Sequence, residues 1–506
     1  MVEANRVNRN IRIGDVFTPA QWAEFAVTRF HIYEQWINGA KIFDPTMGTG
    51  SLLEALVHHG LAQGKSLHSL PVENLFGNEL NLFYYQTALN NFRENLGIDM
   101  SSNFTNEDLI DLPPREFDVL LGNPPWVNYV DLPEEYKQKI KNSFIEYGLA
   151  DNRGQLLLGN SRIDFAALII QVAMRNFLAP EGQAVFFAPL SLLLNDGANR
   201  KFRTFRVDEV PFALEQVFDF NGKKIFPGIS TRYGLMHFTK NKKSTYPLSY
   251  HILENNCWKE YYAKPMFKPT DPLSVFSSVS DDMHLKIKPI NIRKESVPRQ
   301  GINTCGANDI FYFDECLQEN DHTVIVTNKV KNKIQLPADF IYPVVTSRNF
   351  NRVSPNPGRF ILLPYQNSGK ILTAEQISAY PELNNYLSAH KQQLSERKGV
   401  MLRTMIDRGY WWALLGVGKY CFYPCKIIWE AYGKQTFRPI LTKGRWQANQ
   451  SLQAYIPVKE AREADRILKQ LQDKNIEKYL LSLRMAGTMN WAQPGKIRKI
   501  LQITDL

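Results

Sequence analysis

The first half of this 506-residue chain reads as a doubly wound α/β sheet with an antiparallel edge hairpin, and the second half as an α+β domain of different character. Three observations predict this. Short apolar runs alternate with helical patterns up to about residue 240. A glycine-bearing loop stands between the first strand and the first long helix pattern. The charge is split: residues 1–250 carry 24 Lys and Arg against 27 Asp and Glu, a net of −3, whereas residues 251–506 carry 36 against 23, a net of +13.

Taken in order, the predicted strands are Lys41–Phe43, Asn74–Gly77, Asn103–Thr105, Phe117–Leu121, Gln183–Ala188, Glu215–Phe218 and Tyr233–Thr239. Helical patterns over Ser51–Gly60, Leu82–Asn95 and Phe165–Leu178 separate several of them, the spacing of βαβ units. Only the turn-rich Asn221–Thr231 lies between the last two strands, so they are expected to form a hairpin at the sheet edge. Lys240, Lys242 and Lys243, then Pro265, Pro269, Pro272, Pro289 and Pro298, read as a linker with irregular structure. Helices are expected over Pro381–Lys398 and Ala461–Arg484. The division expected is 1–255 for one domain and 256–506 for the other.

Composition narrows the function classes. With 44% hydrophobic and 22% charged residues the chain is expected to be globular rather than disordered. No apolar run reaches the roughly 18 residues that span a bilayer, and Met1–Gly14 carries three arginines without an apolar core, so neither a membrane anchor nor a signal peptide is expected. Five scattered cysteines point to a reducing, cytoplasmic setting without disulfides. Cys421 and Cys425 lack a second ligand pair, so no metal site is expected.

The motifs lie at predicted strand ends. Asp44-Pro-Thr46-Met-Gly48-Thr-Gly50-Ser runs from strand to helix, where glycines allow close backbone approach and the helix offers unpaired N–H groups. It is neither a dinucleotide fingerprint, since Leu53 takes the third glycine position, nor a Walker loop, and alone it is equally a tight turn. Glu79 at the second strand tip is placed to accept ribose hydroxyls, or to sit as a carboxylate at a helix start. Asp108, followed by Leu109, could accept from an adenine amine or cap a helix. Gly122-Asn123-Pro124-Pro125-Trp126 is the decisive element: an amide, carbonyls left free by two prolines, and a flat ring can grip a planar amine. Its bland alternative is a proline turn with a core tryptophan.

This series resembles the S-adenosylmethionine-dependent adenine-N6 DNA methyltransferases, with a Rossmann-like methyltransferase sheet. Val16-Phe17-Thr18-Pro19 resembles the extra N-terminal motif of their gamma subgroup, and Phe226-Pro-Gly-Ile-Ser-Thr-Arg232 a second aromatic site in which Phe226 would face a flipped base. Gly301–Phe311 resembles the opening of the recognition domain of Type II gamma enzymes. The resemblance implies cofactor contacts from Thr18, Asp44, Thr46, Gly48, Gly50, Glu79, Asp108, Leu109, Asn123 and Pro125. It implies catalysis by Asn123, Pro124, Pro125 and Trp126 with Phe226. It further implies a monomer acting on double-stranded DNA, a C-terminal target-recognition domain, a bacterial or archaeal cytoplasm, and a cognate restriction endonuclease encoded separately.

Within the basic half, Arg348, Arg352, Arg403, Arg408, Lys434, Arg438, Lys443 and Arg445 are the candidate DNA contacts. Two other readings compete. The same tetrapeptide serves RNA or protein-glutamine methylation, and Asp131, Glu135 and Lys137 superficially suit a fused endonuclease, though they are better read as an exposed helix.

Overall fold

The computed structural model describes residues 16–152, 163–195, 197–226, 228–229, 231–278, 287–330, 332–350, 358–432, 436–450, 453–482 and 492–504. Among these, the chain forms two compact units, one before residue 279 and one after 286.

In the first unit, β1 (Ile42–Asp44), β2 (Leu75–Asn78), β3 (Phe104–Thr105), β4 (Phe117–Gly122) and β5 (Leu178–Pro189) run parallel in the order β3-β2-β1-β4-β5. Phe43 pairs with Phe76 on one side and Leu120 on the other, and Leu121 with Val185. Both faces are buried, as parallel sheets require. Alternate residues face opposite layers: Val119 and Leu121 pack with helices α1 (Ala20–Arg29), α3 (Ser51–Ala62) and α4 (Leu82–Leu96), while α2 (Ile32–Ile37) lies in the same layer. Leu120 packs in the other layer with the helix Phe165–Asn176. Chain order reverses between β1 and β4, which makes the carboxyl ends of these strands the natural crevice.

Beyond the short β6 (Arg206–Val207), β7 (Val210–Asp219) and β8 (Tyr233–Lys240) form the expected antiparallel hairpin, with β8 against β5. It is not at the sheet edge. β9 (Leu248–Glu254) adds parallel to β7, and β10 (Cys257–Pro265) and β11 (Leu273–Phe276) follow antiparallel, giving eleven strands among the described residues. The expected linker is therefore partly sheet, and the division expected at 255/256 falls inside the β9–β10 hairpin. Its prolines were the misleading signal: Pro265 ends β10, and Pro269 and Pro272 stand between strands, positions that cost no ladder bond.

The second unit is α+β, with small sheets rather than one large one. Its longest-paired strands are Cys425–Glu430 and Gln453–Val458, antiparallel. The two long helices expected there are each broken: Pro381–Ala389 is followed by Lys391–Ser395, and Ala461–Leu471 by Lys474–Ser482. All five cysteines are free thiols. No helix among the described residues is long and apolar enough to cross a membrane.

Candidate active site

A cleft of about 830 Å³, counting the solvent at its mouth, opens at the carboxyl ends of β1, β2 and β4. Of the residues expected to hold a cofactor, it brings together Thr18, Asp44, Thr46, Gly48, Glu79, Asp108, Leu109, Asn123 and Pro125. Gly50 is absent from its wall. With φ of +91°, Gly50 needs the left-handed conformation, and a Cβ there would meet the Phe92 ring at 3.2 Å, so this glycine serves helix packing against α4.

The loop after β1 is held from several sides. Thr46 N–H donates to Asp44 Oδ1 at 3.0 Å, Met47 N–H to the Asn78 carbonyl at 2.9 Å, and Gly48 N–H to Glu79 Oε2 at 2.9 Å. β2 passes so close that a Cβ on Gly77 would lie 2.3 Å from the Met47 sulfur. Asp44 is fully enclosed; burial pushes its carboxyl well up, the Thr46 N–H pulls it back, and Glu79 pushes it further up.

Asn81, not Glu79, caps α4, accepting from Phe83 N–H at 2.9 Å. That leaves the Glu79 carboxylate in the cleft, where its second oxygen takes Asn81 N–H at 2.8 Å. Asp108 caps no helix. One oxygen accepts from Ile110 N–H at 3.1 Å and the other binds Lys139 Nζ at 2.6 Å, an ion pair reaching in from α5 (Glu134–Ile140).

Asn123 follows β4 and is buried. Its Nδ2 donates to the Val16 carbonyl at 2.9 Å and to Thr18 Oγ1 at 3.1 Å. A carbonyl can only accept, so this pairing fixes the amide's orientation. Its Oδ1 is left buried without a hydrogen-bond partner, an arrangement that costs free energy unless a donor arrives. Thr46 Oγ1, in the same cleft, is likewise unpartnered.

Pro124 is buried, and Trp126 is half-buried beside it. The Trp126 ring meets Phe226 edge-on at 4.8 Å and Tyr233 at 5.1 Å. Phe226 is 1% exposed and also contacts Phe187, so its ring lies within the aromatic cluster rather than open to solvent. The Tyr233 hydroxyl anchors this turn, accepting from Ile225 N–H at 2.9 Å and donating to the Lys223 carbonyl. Below it Arg232 donates to the buried Asp219 at 2.8 Å, and Tyr250 donates to the same carboxylate at 2.6 Å.

Sequence reasoning missed Asn78, Asn81, Tyr84 and Tyr136, which also line the cleft, and the partners Lys139, Tyr233, Asp219 and Tyr250. The pattern Asn81-x-Phe83 at a helix start was a usable capping signal; the long-range partners left none.

The basic candidates of the second unit differ in exposure and partners. Arg348, Arg408 and Arg438 are exposed. Arg403 pairs with Asp407 at 3.0 Å and Lys443 with Asp465 at 3.8 Å. Arg445 donates to the Asp339 carbonyl at 3.0 Å and lies over the Tyr342 ring at 4.3 Å. Arg352 and Lys434 lie outside the described residues. Among those described, no three His, Cys, Asp or Glu side chains are grouped to share a metal ion.

Chemically, the cleft sets three carboxylates, two unpartnered polar oxygens and aromatic walls around one space. That set fits a cationic ligand with hydroxyl groups at one end, next to an amine acceptor at the other.

Residues 2–268 match the model of the N-6 DNA methylase family. The chain is similar to the Type II methyltransferases M.HincII and M.HindII of Haemophilus influenzae, 23% identical to each over 235 residues, or 46% of this chain. It spans about two-fifths of the length of these curated relatives, 39% and 38%. Among solved structures, the Type IIL restriction-modification enzyme MmeI in complex with DNA aligns over 93% of this chain and 64% of its own, with a TM-score of 0.55 and 13% identity. A nuclease-deletion mutant of the Type ISP enzyme LlaGI aligns over 88% and 48%, with a TM-score of 0.50 and 13% identity.

Proposed function

The chain belongs to the N-6 DNA methylase family, and from that premise we propose that it is a site-specific, S-adenosylmethionine-dependent DNA adenine-N6 methyltransferase of the gamma arrangement. The observation that carries this reading is the Asn123 amide, whose nitrogen is tied to Val16 and Thr18 while its buried oxygen waits for a donor.

The residues of the cleft fit the cofactor. Glu79 suits ribose hydroxyls, Asp108 an adenine amine, and Asp44 with Thr18 the charged methionine end. When bound, S-adenosylmethionine supplies an electrophilic methyl group. Everything else falls to the chain. A duplex adenine must leave its stack, at a cost of a few kcal/mol, and stacking on Trp126 returns about 1–3 kcal/mol. Asn123 Oδ1 accepts one N–H of the exocyclic amine and the Pro124 carbonyl accepts the other. The nitrogen lone pair, otherwise delocalised into the ring, is then concentrated on the nitrogen. Fixed dipoles aimed at developing charge need no reorganisation at the moment of reaction. No side-chain base is required before transfer: the nitrogen would become cationic as it takes the methyl from the sulfonium, leaving a neutral thioether, and that cation is strongly acidic and yields its proton to water.

The modification role in a restriction-modification system, with the endonuclease encoded separately and the methyltransferase acting as a cytoplasmic monomer, belongs to the same proposal. The test is transfer of labelled methyl to duplex DNA, RNA and protein in parallel, followed by mapping of the modified atom. Label on adenine N6 of duplex DNA is expected; label confined to RNA or to a protein glutamine overturns the reading.

A further inference from the structure

The second unit holds a concavity whose described lining is neutral and amide-rich. Gln300, Asn303, Asn308, Tyr432, Asn449 and Gln450 line it, and among the described residues no charged side chain does. Two chain segments meet there at unusually close range. Ile302 N–H donates to the Ala448 carbonyl at 2.7 Å, and Gln450 N–H to the Ile302 carbonyl at 3.0 Å. A Cβ on Gly301 would lie 2.4 Å from the Asn449 carbonyl carbon and 2.5 Å from the Ala448 oxygen, so only glycine permits the approach. Asn303 is locked in turn to Leu415 by two backbone hydrogen bonds of 3.0 Å. The frame is therefore rigid backbone rather than mobile side chain.

Within this frame the amides are oriented. Asn303 Oδ1 accepts from Cys305 N–H at 2.7 Å, which turns its NH₂ group away from that contact. Asn308 Oδ1 accepts from Thr304 Oγ1 at 2.6 Å, with the same effect. Gln450 Oε1 is enclosed and has no hydrogen-bond partner. The concavity thus offers neutral donors, with an unsatisfied neutral acceptor enclosed in its wall. Phosphate would call for cations. An adenine edge in the major groove presents an acceptor at N7 and a donor at N6, the complement of an amide.

We propose that this amide-lined concavity is a base-reading site, and that Asn303 and Gln450 recognise an A·T pair of the DNA target through its major-groove edge. The proposal rests on the DNA methyltransferase reading above and assigns specificity to amides, leaving the positioning of phosphates to Arg and Lys side chains.

The experiment uses the full chain with labelled S-adenosylmethionine and a library of randomised duplexes, sequencing the methylated products. Asn303→Asp keeps the acceptor for Cys305 N–H but replaces the free donor with an acceptor; Gln450→Met keeps the side-chain length and removes the acceptor. Each variant is expected to lose discrimination at one A·T position by about tenfold or more, while the other positions and the KM for the cofactor hold. Asn308→Asp, which retains its Thr304 contact, replaces either variant that melts early. A site profile unchanged at every position, or a loss spread evenly over all sequences, overturns the proposal. So does a wild-type chain that methylates DNA without sequence preference. A wild-type chain that transfers methyl to no DNA at all overturns instead the reading on which the proposal stands.

Discussion

At the β4 end of the cleft the Asn123 oxygen has no partner, while its nitrogen is committed twice. At the β2 and β3 ends the carboxylates of Glu79 and Asp108 are already engaged, by Gly48 and Asn81 N–H groups and by Lys139. The first end is preorganised and gains a hydrogen bond outright when a donor arrives. The second must exchange protein donors for those of a ligand, so its net gain is the difference between two similar sets. Damage at the first end is therefore expected in turnover, and damage at the second in affinity.

The largest expected effect is at the unpartnered oxygen. Asn123→Ala should lower methyl transfer by about 10²–10³-fold while equilibrium binding of the cofactor is retained; turnover within a few-fold of wild type would break the contrast. Next comes the support beneath Phe226. Asp219→Ala leaves Arg232 buried without its carboxylate and should destabilise the first unit by about 3 kcal/mol, read as a lowered denaturant midpoint. At the engaged end, Glu79→Ala should weaken cofactor binding by about 1.5–3 kcal/mol and leave the rate at saturating cofactor little changed; a fall in saturated rate alone would reverse the assignment.

A pH-dependent effect concerns Asp164, the cap of the helix Phe165–Asn176, whose neighbours Phe165 and Ile169 line the cleft. Burial lifts its carboxyl from 3.8 to about 7. Between those values the folded chain keeps a proton that the unfolded chain releases. Its contribution to stability is fullest below pH 3.8 and is lost as pH rises toward about 7, with a slope of at most ~1.4 kcal/mol per pH unit. Asp164→Asn should flatten that decline in unfolding measured from pH 4 to 8.

What was legible in the sequence was local. A strand, its turn and the following helix announce themselves by periodicity and glycine, and a parallel sheet then delivers successive strand tips to one edge. That is why Asp44, Glu79, Asp108 and Asn123 could be placed together before any contact was known. The two glycines in one loop meet different needs: Gly48 faces the cleft and Gly50 makes room for Phe92. The strands after Pro247 were obscured because prolines between strands and prolines in a linker look alike in sequence. Partners distant in the chain, such as Lys139 for Asp108 or Tyr250 for Asp219, leave no periodic trace.

The bond from Asn123 to the Val16 carbonyl joins residues 107 apart in the chain. During synthesis the segment bearing Val16 emerges early and must wait for β4 before it has anything to hold. Among the described contacts, only those to Val16 and Thr18 dictate which end of the Asn123 amide faces the cleft. Docking of the N-terminal segment therefore sets the orientation of the amide. A fragment beginning after Pro19 offers a way to study the two states apart, with a short peptide spanning Val16–Pro19 added back in trans.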